Sequence, residues 1–157
     1  MARIDLSGGA KTAGRSWLIA AAAMSFVASL LHLACILGGG DWYRFFGAGE
    51  RMARLDEAGS WTPAILTAVI AIILAGWGLY ALSGAGIVRR LPLLRTGLVA
   101  IAIVLLARAS FVAIPATWGP ELGFTFMAIT SAIVGIMGLT FAVGTSKSWA
   151  YMRNLSE

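Results

Sequence analysis

Two residues stand where ionisable chemistry is expensive. His32 and Arg108 each lie within a long apolar run. Such a side chain is a functional candidate by default when the run is long enough to cross a membrane. Imidazole donates or accepts a hydrogen bond near neutral pH, and a guanidinium forks onto a carboxylate, phosphate or carbonyl oxygen. A buried guanidinium needs a carboxylate or several carbonyls around it. Glu50 and Glu121 are the acids nearest to Arg108 in depth. With Tyr43, Thr67, Ser110 and Trp118 at comparable depth, these residues outline an outward-facing polar pocket. It would hold the head of a lipid, a quinone or a small anion, with apolar walls for the tail. The plainer reading is structural: Arg108 ties an outer segment to the helices, and His32 bonds Ser29 or a backbone carbonyl.

Other chemistries fail on residue supply. The chain has one His and one Cys. His32 and Cys35 are three apart on a helix and could touch one soft ion, but two ligands do not make a metal site. Haem with two axial histidines would require a second subunit. His32 has no clear Ser or Cys partner beyond its own turn, so a nucleophilic triad is excluded. The glycines of GAGERM (47–52) and GAG (84–86) lack the strand-to-helix context of a phosphate loop. No ring of charge or filter motif suggests a channel. No catalytic residue and no metal ligand is assigned. The cofactor-like ligands left are lipid and quinone, beside a small anion.

The elements that must position these residues follow from composition. Of 157 residues, 59% are hydrophobic and 12% charged, where soluble domains carry about 45–50% and about 25%. Mean hydropathy is +0.85. That much apolar surface does not fit one small water-soluble core, so the sequence reads as an integral membrane protein. Disorder, a disulfide-stapled fold and a nucleic-acid partner are excluded. The first apolar run continues to Leu37, too long for a signal-peptide core, and reads as a retained helix.

Four helices are expected, near 17–38, 62–84, 94–115 and 122–144. Each approaches the roughly 20 residues that span a hydrocarbon layer. The fold class is all-α: a four-helix up-and-down bundle in a single membrane domain. Trp17, Trp61, Trp118 and Trp149 fall at or beyond the helix ends, where an aromatic belt sits. Small residues make packing seams: Ala21, Ser25 and Ser29; Ala64, Ala68, Ala71, Ala75 and Gly78; Ala128, Ser131, Gly135, Gly138 and Ala142. In the first outer loop, apolar residues at helical spacing predict an amphipathic interfacial helix over about 42–58. Gly38, Gly39 and Gly40 are its hinge.

Charge sets the orientation. Arg3, Lys11, Arg15, Arg89, Arg90, Arg95, Lys147 and Arg153 fall on one side, and Arg44, Arg51 and Arg54 on the other. The positive-inside rule then puts both termini in the cytoplasm. Asp41, Glu50, Asp56, Glu57 and Glu121 make the outer side net negative, and the basic inner face attracts anionic membrane lipid. His32 is 15 residues beyond Trp17 and Arg108 is 14 beyond Leu94. At 1.5 Å per residue both lie about 21–22 Å outward.

The segments FGAGE (Phe46–Glu50), LYALSGAG (Leu79–Gly86) and LPLLR (Leu91–Arg95), with His32 and Arg108, resemble small four-helix bacterial inner-membrane proteins. In helix number, size and an outward His on the first helix, the chain is similar to the DoxX-like group, which includes proteins linked to quinone-coupled sulfur chemistry. The resemblance implies a bacterial inner-membrane location and assigns no reaction. Three readings of function are compatible with these residues. The first is a non-enzymatic protein that binds a lipid-like or quinone-like ligand through His32, Arg108, Glu50, Glu121, Tyr43 and Trp118. The second is an accessory or scaffold subunit of a larger membrane complex, or a homo-oligomer. The third is a quinone-dependent redox enzyme.

Overall fold

The computed structural model describes residues 7–115 and 123–154. Among them are five helices: α1 (Ser7–Phe45), α2 (Glu50–Glu57), α3 (Thr62–Gly84), α4 (Leu94–Ala109) and α5 (Phe124–Asn154). A 3-10 turn, Ser110–Ala113, follows α4. The helices α1, α3, α4 and α5 are each long and apolar enough to cross a membrane. Arg3, Trp118 and Glu121 lie outside the described residues.

Side-chain size is sorted inside out relative to a soluble protein. Leu30, Ile72, Ile103 and Ile133 are all more than half exposed. Many of the buried positions are small: Ala21, Ser25 and Ser29 on α1; Ala71, Gly78 and Ala81 on α3; Gly138 and Gly144 on α5. Lipid tails solvate Leu and Ile as well as a core does, so helices in a bilayer associate through small residues that let backbones approach. The same arrangement in water would expose apolar surface around every long helix. The chain is therefore a multi-pass membrane protein.

Contacts run between successive long helices and between the first and last. The α1 helix packs on α3 and α5, and α4 packs on α5 and more lightly on α3. At one end Leu18 lies against both Gly84 and Gly144, where an added Cβ would come within 3.0 Å and 2.9 Å of it. Leu98 and Met152 join the same cluster. Further along, Phe26 covers Gly78. Ser29 Oγ donates to the Ala71 carbonyl at 2.8 Å, an inter-helix bond across a dry interface. Gly138 admits Leu105 and Leu106 of α4.

The opposite end is closed by a cap, residues 40–57. The α1 helix breaks at Gly39, whose φ of 67° and ψ of −153° suit glycine alone. An added Cβ there would meet the Asp56 carboxylate at 3.1 Å. Helix resumes to Phe45, and then the chain turns. The expected single helix over 42–58 is therefore two pieces. Gly47 (φ 79°) and Gly49 (φ 91°) end the first and begin α2. Gly47 also receives the ring of Phe126, at the start of α5.

The last helix runs ten residues past its expected end near 144. After Gly144 the chain has no further Gly or Pro to stop it. Met152, fully buried against Gly84, holds the extension to the bundle.

Candidate functional site

Arg44 is the hub of the cap. It lies in the last turn of α1, where a cation complements the carbonyl end of a helix. Its Nε donates to Glu50 at 2.7 Å, and its Nη1 donates to Glu57 at 2.6 Å and to Asp41 at 3.3 Å. Arg54 Nε adds a second donor to Glu50 at 2.8 Å, from one helical turn away. The Arg44 hydrogen bond, seconded by that of Arg54, holds the Glu50 carboxyl down from the ordinary 4.5 to about 2. The Arg44 bond lowers Glu57 as well.

Glu50, which with Glu121 is one of the two acids expected near Arg108 in depth, is held by two arginines of the cap itself. The cap is thus fastened across its own turn, from the end of α1 to α2. The sequence hid Arg44 because its two closest partners are six and thirteen residues onward, across a turn whose shape depends on two positive-φ glycines. Neither spacing is a helical repeat.

Beneath the cap lies a small second core of Cys35, Tyr43 and Ala53, with Met52 packed against it. Tyr43 is 1% exposed, and its hydroxyl has no hydrogen-bond partner. Few buried polar atoms are left in that condition. Three residues back from Cys35, the half-buried His32 places Nδ1 2.8 Å from the Ala28 carbonyl. A carbonyl only accepts, so Nδ1 carries the proton. In the neutral ring, Nε2 is then left as an acceptor.

Arg108 sits in the last turn of α4, again at a carbonyl end. Its guanidinium carbon is 5.6 Å from the centre of the Phe111 ring. Its Nη1 is buried without a hydrogen-bond partner. Of the remaining candidates, Thr67 is buried in α3. The exposed Ser110 donates to the Ala107 carbonyl at 2.7 Å. Among the described residues no group of three or more His, Cys, Asp or Glu converges as a metal site would require. His32 and Cys35 differ in surroundings, one bonded to its own helix and the other buried in the small core.

Among the described residues α4, which carries Arg108, packs on α3 and α5 and not on α1 or α2, which carry His32, Tyr43 and Glu50. Comparison with protein-family models, with curated proteins and with solved structures returned no match.

Proposed function

We propose that the chain is a four-span, up-and-down bundle of the bacterial inner membrane, with both termini cytoplasmic. Its capped outer end holds a lipid-like or quinone-like molecule. The observation that carries this reading is the unpartnered Tyr43 hydroxyl, buried beneath the cap. An unsatisfied buried polar atom costs about 1–3 kcal/mol. A ligand head that supplies an acceptor removes that cost. Arg108 Nη1 is a second unsatisfied donor, suited to a carbonyl or anionic oxygen. In this reading His32 Nε2 accepts a bond from the ligand. The role of Glu50 is to hold the cap shut through Arg44.

Native mass spectrometry from mild detergent tests the reading. The expected result is a retained small molecule of lipid or quinone mass, lost in Tyr43→Phe and in Arg108→Gln. A chain that carries no such mass, or carries it equally in both variants, overturns the assignment. An exposed aromatic group on the cap favours a second reading, an accessory subunit. Phe45, 76% exposed, stacks edge-on against Phe46 at 5.1 Å, and Trp42 lies 5.7 Å from Phe46. That reading predicts a co-purifying protein and no retained ligand.

A further inference from the structure

The end of the bundle opposite the cap is built differently. The start of α1, the α3–α4 connection and the end of α5 converge there, bringing Arg15, Arg89, Arg90, Arg95 and Lys147 to that end. No carboxylate belongs to the described residues of that end. A cavity of about 700 Å³ opens between the connection and α5, lined by Arg90, Arg95, Thr96 and Trp149. The Arg95 guanidinium carbon lies 4.1 Å from the centre of the Trp149 ring, a cation–π contact that fixes the group in place. Arg95 Nε is buried without a hydrogen-bond partner. Arg90 is steadied by a bond from Nη2 to the Met152 carbonyl at 3.3 Å.

Trp149 also lines a second space, an apolar groove of about 470 Å³ between α4 and α5. Ala102, Ile103, Leu106 and Ala142 form its walls. One residue there is out of character. Thr145 is 4% exposed and lines the groove, yet its hydroxyl bonds nothing. It stands one helical turn from Trp149, toward the middle of the bundle. From Arg95 to Leu106 is eleven residues, about 16 Å at 1.5 Å per residue. That is close to half of a hydrocarbon layer about 30 Å thick, the depth of one leaflet.

We propose that cavity and groove together bind one anionic glycerophospholipid of the surrounding membrane. The phosphate sits between Arg90 and Arg95, with the Trp149 indole at the interface beside it. Thr145 Oγ1 donates to an ester carbonyl, and one acyl chain lies along the α4–α5 groove. An anionic head is selected because the described residues of that end offer cations and no carboxylate to receive a choline or ethanolamine ammonium. The site rests on the membrane reading alone and is separate from the ligand proposed beneath the cap.

The test exchanges the full-length chain against vesicles of equal phosphatidylglycerol and phosphatidylcholine, then counts retained lipid by native mass spectrometry. One phosphatidylglycerol per chain is expected, in preference to phosphatidylcholine. Arg95→Gln and Trp149→Leu should each weaken retention about tenfold, the worth of one charged hydrogen bond or more. Thr145→Val keeps the side-chain shape and should weaken it a few-fold, so the proposal stays testable if an arginine variant fails to fold. Arg51→Gln, on the cap, should change nothing. Equal retention of the two lipids overturns the proposal, as does retention unchanged in Arg95→Gln and Thr145→Val. Displacement by excess inorganic phosphate as readily as by phosphatidylglycerol also overturns it, because the groove would then contribute nothing.

Discussion

Arg44 and Tyr43 are neighbours in sequence with opposite fortunes. One is surrounded by acceptors and the other has none. Replacing Arg44 by Ala leaves three carboxylates facing one another across the turn. Limited proteolysis is expected to cut the cap of that variant while leaving the long helices intact. Acid should act through the same network. A carboxyl whose pKa is lowered by folding contributes stability above its unfolded value and loses it as pH falls through its folded value. For Glu50 that window runs from 4.5 down to about 2. Amide protection across residues 50–57, taken relative to the intrinsic exchange rate at each pH, should hold above the window and fall within it; constant protection throughout would refute the role. Tyr43→Phe removes a hydroxyl that has no partner. The ligand-free variant should unfold at higher temperature, by the equivalent of about 1 kcal/mol. At this scale the sequence showed what was costly. His32 and Arg108 were visible because they interrupt apolar runs. Arg44 was not, because an arginine between two apolar runs looks ordinary until the turn brings its acids back.

The two glycine sites of the cap show where element boundaries were and were not legible. The hinge at Gly38–Gly40 was readable as three consecutive glycines, and Gly39 is where the helix breaks. The second break was not readable, because apolar spacing continues through Phe45, Phe46 and Gly49 as if one helix persisted. Gly39→Ala forces a Cβ toward Asp56 at a dihedral only glycine adopts comfortably. It should cost about 1–3 kcal/mol, measured by chemical unfolding in detergent. The packing seams were read more accurately than the cap, since small residues at helical spacing have few other uses in a membrane. Ala71 and Gly78 are buried as expected, and so are Ser25 and Ser29. Ser29→Ala deletes the bond to the Ala71 carbonyl and should cost about 0.6 kcal/mol, the usual worth of such a bond in a membrane.

Across the whole molecule, charge and hydropathy carry different kinds of information. Hydropathy marked four helices long enough to span, and all four are present. Charge predicted their orientation, which labelling can measure. In a Cys35→Ser background, Ser60→Cys at the cap end should react with an impermeant thiol reagent added to intact cells. Gly86→Cys at the basic end should not; the reverse pattern would invert the topology. The ring of helices closes where its ends meet, with Gly14 beside Ser148 and Leu18 against Gly144. Those partners are made 134 and 126 residues apart. At about 5–20 residues per second, a ribosome takes on the order of ten seconds to produce the second after the first. During that interval the first helix has one of its two main neighbours, and its other seam faces lipid or the insertion machinery. The nascent chain therefore passes through a stage as an open bundle, which closes on α1 once α5 is made.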